Sequence, residues 1–263
     1  MKFYCFGDKE RPAILLLPGT CCHWKRNFDH VIPLLERDFY VVCVSYDGFD
    51  ETEETVFPDM LTETAKIEDY VQENFGGHIC AAYGCSMGGS FVGLLIQRGR
   101  IHIDHGILGS SDLDQETGLP AKLKARLIAK VLCGIFQKGR LPGWMQKRLD
   151  QKSPEERAYM EPMLNMFGVG SDAMAVVQKR SIRNQFYSDL VTPLGDKISA
   201  PGTTVHVFYA LKMGEKYEAR YHRHFKNPDI RRHDRQHEEL LVRDPEQWAE
   251  EVRRCCGMEG KDQ

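Results

Sequence analysis

Short, wholly apolar runs separated by amphipathic stretches make up the first half of the chain. Ala13 to Leu17, Tyr40 to Val44 and Ile79 to Tyr83 are continuously apolar rather than alternating, which is how strands buried on both faces read. Between the first two, Phe28, Val31, Ile32, Leu34 and Leu35 recur at helical spacing. Asp59 to Phe75 predicts an amphipathic helix, with Leu61, Thr64, Ile67, Glu68, Val71 and Phe75 about one turn apart. A further helix through Phe91, Leu94 and Leu95 leads to a strand near Gly106 to Leu108. Alternating strands and helices of this kind predict a mostly parallel sheet with helices on both faces.

The alternation stops between Asp114 and about Ala200, where the composition turns to helices rich in Lys, Arg and Met. Leu123, Leu127, Val131, Leu132 and Ile135 make one apolar stripe, and Met160, Met163, Leu164 and Met166 make part of another. The expected organisation is a core of residues 1–113 and 201–263 with a helical insertion over 114–200. The stripes are expected to pack the insertion and to turn some apolar surface toward a substrate. The sheet resumes at Val205 to Tyr209 and near Ile230, and Asp244-Pro245-Glu246-Gln247 opens a last helix with an Asp cap and Pro at its first position.

Composition narrows the classes. The 263 residues are 42% hydrophobic and 28% charged with a net charge of −3, which excludes a disordered chain and a nucleic-acid binder working by bulk electrostatics. One large core fits this length. No apolar run approaches the roughly 20 residues of a membrane span. Charges interrupt Met1 to Asp8 early, the nine cysteines are odd in number, and none forms a C-x-x-C pair. These features lead to the expectation of a cytoplasmic protein with free thiols and no metal centre or cofactor.

The chemistry gathers at Gly84-Cys85-Ser86-Met87-Gly88, a G-x-S-x-G sequence entered from a buried strand and left by a helix. A serine at such a turn is presented at the C-terminal edge of the sheet on a strained backbone, with small neighbours required around it. The glycines are followed by no lysine, so the loop is not a phosphate cradle. Cys85 is expected to point into the core.

Together with Leu17-Pro18-Gly19-Thr20 after the first core strand, the long insertion and a histidine ahead of the last helix, this elbow resembles the α/β-hydrolase family over nearly the whole chain. The resemblance implies the α/β-hydrolase fold with a helical cap, Ser86 as nucleophile, and an oxyanion hole from the backbone N–H groups of Thr20 and Met87. It also implies His237 as the general base, with His233 as the fallback. The other histidines read differently: His222 and His224 as surface residues, and His23 as a possible pocket residue. The acid is where the pattern departs from the family, because Met213 occupies the usual position after the penultimate strand. Glu215 is the leading substitute and Asp112 the second; Asp114, Glu238 or no acid at all remain open. The function implied is that of a serine hydrolase acting on an ester or related acyl bond of a small, partly apolar substrate. The competing readings are a hydrolase-like binding protein that has lost its triad, and an acyltransferase or thioesterase on the same scaffold.

Overall fold

The computed structural model describes residues 1–136, 143–166 and 177–258. Seven strands form one sheet in the order β1-β3-β2-β4-β5-β6-β7: β1 (Lys2–Phe6), β2 (Ala13–Leu17), β3 (Tyr40–Ser45), β4 (His78–Gly84), β5 (His102–Leu108), β6 (Thr204–Ala210) and β7 (Asp229–His233). All neighbours are parallel except β1, which runs antiparallel to β3 with Lys2 opposite Ser45 and Phe6 opposite Val41. β2 and β3 are buried along their whole length, matching their unbroken apolar runs. β1 is absent from the sequence reading. It is half-exposed and short, and only its pairing with β3 makes it a strand.

Two cores flank the sheet. One face is covered by α3 (Met60–Phe75) and α4 (Met87–Arg98), through Met60, Ile67, Val71, Phe91 and Leu95. The other carries α1 (Trp24–Phe28), α2 (Ile32–Leu35), and the C-terminal α10 (Glu239–Arg243) and α11 (Pro245–Cys255), through Phe28, Leu35, Leu241 and Trp248. Glu68 lies on the inner face of α3 because Arg98 grips it with two donors and Arg100 with a third. A buried carboxylate is tolerated when it is paired in this way. The helix at 215–224, α9 (Glu215–His224), connects β6 to β7.

Between β5 and β6 stand α5 (Leu119–Phe136), α6 (Gly143–Asp150), α7 (Pro154–Met166) and α8 (Lys179–Val191). The Met163 and Met166 stripe of α7 is buried as expected. The stripe on α5 is not: Leu123, Leu127 and Val131 are exposed, and Ala121, Ala125, Ala129 and Cys133 take the buried face. The side chains of Leu132 and Ile135 lie outside those described. Small residues let α5 approach α8 closely, and the periodicity alone could not say which of the two faces would be inside. Asp244 also departs from expectation. Pro245 does open α11, but the Asp244 side chain makes no capping bond and accepts instead from Arg235 Nε at 2.9 Å. His224 is buried rather than exposed, with its Nδ1 2.9 Å from the Gly195 carbonyl.

Candidate active site

Ser86 sits between β4 and α4 with φ 50° and ψ −114°, a backbone conformation that costs about 1–3 kcal/mol for a residue with a side chain. The surroundings hold it there. A Cβ on Gly84 would run into the Gly88 backbone, one on Gly88 into the Leu17 carbonyl, and one on Gly89 into Ser111 Oγ. The Ser86 carbonyl accepts from Ser111 Oγ at 2.6 Å. Cys85 turns inward as the sequence predicts, fully buried, with Asn27 Nδ2 3.3 Å from its sulfur.

Glu238 holds the other side of the turn. Its carboxylate, 2% exposed, accepts the Ser86 N–H at 2.7 Å and the Ser110 N–H at 2.8 Å on Oε1, and the Tyr83 hydroxyl at 3.0 Å on Oε2. The Glu238 N–H in turn donates to Ser110 Oγ at 3.1 Å. These donors fix the carboxylate beneath the elbow and leave none of them unpaired. Glu238 has φ 54°, and His237 immediately precedes it. Its sequence context, His237-Glu238-Glu239-Leu240, resembles an exposed helix start, so nothing local marks it as a core residue.

His237 is half-buried in the loop between β7 and α10, and its carbonyl accepts from the Tyr159 hydroxyl of α7 at 2.9 Å. Asp112 is half-buried just after β5, where it feels the His237 charge. Desolvation pushes the Asp112 carboxyl above its usual range, and His237 is the foremost charge pulling it back, ahead of Arg220 and Lys216. Arg220 also donates to the Asp112 carbonyl at 2.7 Å. Glu215 opens α9 in an exposed position, and no contact between it and His237 is found among the described residues. Met213 ends a short 3-10 turn, Leu211–Met213, as β6 leaves the sheet. His233 ends β7, its Nε2 buried without a hydrogen-bond partner among the described residues.

The loop after β2 supplies the remaining elements. Cys21 has φ 57°. The amides flanking Thr20 are both used, Gly19 N–H by Asn27 Oδ1 at 3.0 Å and Cys21 N–H by Gln185 Oε1 at 2.6 Å, whereas no partner is found for the Thr20 amide among the described residues. Met87 is the first residue of α4, so its N–H has no carbonyl within the helix to bond. His23 caps α1, its Nδ1 accepting from the Lys25 amide at 3.3 Å.

An acidic group that the sequence did not reveal as a unit lies alongside. Asp189 of α8 is pushed up to about 8 by desolvation first, then by Asp114 and Asp112, against a hydrogen bond from Gln115. Gln185 Nε2, one turn before it, and Gln115 Oε1 are buried without partners among the described residues.

The comparisons with known proteins follow this geometry. A family model described as "Alpha/beta hydrolase family" matches residues 14–251. A search of curated protein sequences finds no match. Among solved structures, an alpha/beta hydrolase family protein from Desulfitobacterium hafniense superposes with a TM-score of 0.74 at 16% identity, covering 96% of this chain and 99% of its own. A thermophilic esterase from Thermogutta terrifontis gives 0.69 at 17%, covering 96% and 91%. The 2-hydroxy-6-oxo-6-phenylhexa-2,4-dienoate hydrolase from Rhodococcus sp. strain RHA1 gives 0.65 at 21%, covering 96% and 93%. At such identities the likeness is one of fold.

Proposed function

Because the chain belongs to the alpha/beta hydrolase family, we propose that it is a serine hydrolase cleaving a carboxylic ester of a small, partly apolar substrate, with Ser86 as nucleophile. The observation that carries this reading is the strained Ser86 backbone at the strand-to-helix turn, held by close glycines and by Glu238. Strain of this kind persists where the surroundings over-determine it. In the proposed reaction Ser86 Oγ attacks the ester carbonyl while His237 takes its proton. The amides of Thr20 and Met87 donate to the oxyanion, and His237 returns the proton to the departing alcohol. Water then attacks the acyl-enzyme with His237 as base, releasing the acid and restoring Ser86. Asp112 is proposed to orient His237 and to stabilise its imidazolium, in preference to the exposed Glu215.

The acids beside the site bear on the substrate. Asp112 and Asp114 disfavour an anionic substrate, whereas Asp189, desolvated and holding its proton near neutral pH, adds no charge. Neutral or cationic esters are therefore expected to turn over faster than esters bearing a carboxylate.

A fluorophosphonate probe tests the nucleophile. It should label the protein and fail to label Ser86→Ala. Labelling that survives this substitution would remove Ser86 from the role, and a native chain that never reacts would favour the binding-protein reading. With a p-nitrophenyl ester, His237→Ala should abolish turnover. Asp112→Asn should lower kcat by ~10² or more, toward the ~10⁴ seen when a triad carboxylate is lost. Glu215→Gln should stay within about twofold, as surface changes do. The reverse order would return the acid to Glu215. Product analysis with added alcohol separates hydrolysis from acyl transfer.

A further inference from the structure

The outer face of α5 has the wrong polarity for a helix facing water alone. Leu119, Leu123, Leu127 and Val131 are 70%, 57%, 65% and 56% exposed. Residues four apart advance by only about 40° around a helix, so these side chains form one continuous ridge about three turns long. The helix is anchored from the opposite side by Ala121, Ala125, Ala129 and Cys133, so the ridge is not needed to fasten it. Contiguous exposed apolar surface of this kind marks an interaction site.

The charges on the helix point to the partner. Leu119–Phe136 contains no Asp or Glu. Lys122, Arg126 and Lys130 each precede a ridge residue by one position, which places them about 100° round on one flank, and Lys124 lies on the other. All four are exposed. Arg126 lies against the Tyr187 ring, and Lys124 pairs with Glu116 from outside the helix. The chain as a whole has a net charge of −3, so this concentration of cations is local. An apolar ridge bordered by long cationic side chains fits the boundary between headgroups and acyl chains of an anionic bilayer.

We infer that the outer face of α5 docks the protein on anionic phospholipid surfaces, Leu119, Leu123, Leu127 and Val131 entering the interface while Lys122, Arg126 and Lys130 meet the headgroups. The inference stands apart from the reaction proposed for Ser86. Its test is flotation of the full chain with vesicles of phosphatidylcholine, with and without phosphatidylglycerol. Wild-type protein should float with the anionic vesicles and be released by high salt. Leu123→Glu combined with Leu127→Glu should weaken this by at least ~10-fold while leaving the melting temperature and Ser86 labelling unchanged, since both side chains are exposed. Lys122→Glu with Lys130→Glu should remove the preference for the anionic lipid. No flotation, equal flotation with both vesicle types, or a leucine double variant that floats like wild type overturns the inference. So does a concentration-dependent dimer, seen by light scattering and dissolved by the leucine variant, when it occurs without vesicle binding; the ridge would then join two copies of this chain.

Discussion

The elbow around Ser86 and the helix α5 both set small residues against a neighbour, and they do so under different constraints. At the elbow the neighbour is backbone: Gly88 meets the Leu17 carbonyl and Gly84 meets Gly88 itself, so a single methyl has no place to go. On α5 the neighbour is another helix, α8, and Ala121, Ala125 and Ala129 already carry that methyl. The first region leaves its residues almost no freedom, because the sheet, the turn and the helix are mutually locked. The second has freedom to spare and keeps its large apolar residues on the outside. Size at an internal contact thus reports geometry in one case and orientation in the other.

Substitutions should separate the two regions sharply. Gly84→Ala and Gly88→Ala are expected to prevent accumulation of folded protein or to cost more than ~4 kcal/mol, the range reserved for backbone conflicts. Ala125→Gly on α5 should cost only about 1 kcal/mol, through helix propensity. Urea denaturation measures all three, and a Gly84→Ala protein as stable as Ala125→Gly would break the comparison.

Glu238 extends the lock from backbone to side chain. Glu238→Leu would leave the amides of Ser86 and Ser110 and the Tyr83 hydroxyl without their acceptor, at about 1–3 kcal/mol for each buried donor left unpaired. A loss of ~3 kcal/mol or more is expected, together with a slower reaction with the fluorophosphonate. Loss of stability with unchanged labelling of the remaining folded protein would show that the carboxylate supports the fold without shaping the elbow.

The pH dependence of stability sharpens the comparison on the α8 side. Asp189 is raised to about 8 and Glu63, buried and hydrogen-bonded by the Asp47 amide, to about 7, both chiefly through desolvation. The folded state therefore holds protons that the unfolded state has released, and stability must fall as pH rises from the usual carboxylate range through these values. Melting temperature should decline between about pH 5 and 8.5, and Asp189→Asn should flatten the upper part of that decline. An unchanged slope in this variant would mean that Asp189 is ionised throughout. The smallest effect belongs to the ridge, where Leu127→Ala should change stability by less than about 0.5 kcal/mol. A loss of ~2 kcal/mol or more, typical of a buried leucine, would mean that the side chain is packed in solution.

Much was determined along the chain itself. The unbroken apolar runs of β2, β3 and β4, the amphipathic α3 and the G-x-S-x-G turn are all local patterns, because burial on two faces, helical periodicity and a strand-to-helix turn each leave a mark within a few residues. Pairing and facing were decided only by the tertiary structure. β1 is a strand because β3 offers it an edge, the leucines of α5 face outward because alanines fit α8 better, and Asp112 is half-buried where it feels the His237 charge while Glu215 is exposed at the start of α9. Glu238 is the clearest case. Its sequence neighbours are those of an exposed helix start, yet its donors come from positions 83, 86 and 110, and a buried carboxylate is stabilised by donors that only the folded chain brings together.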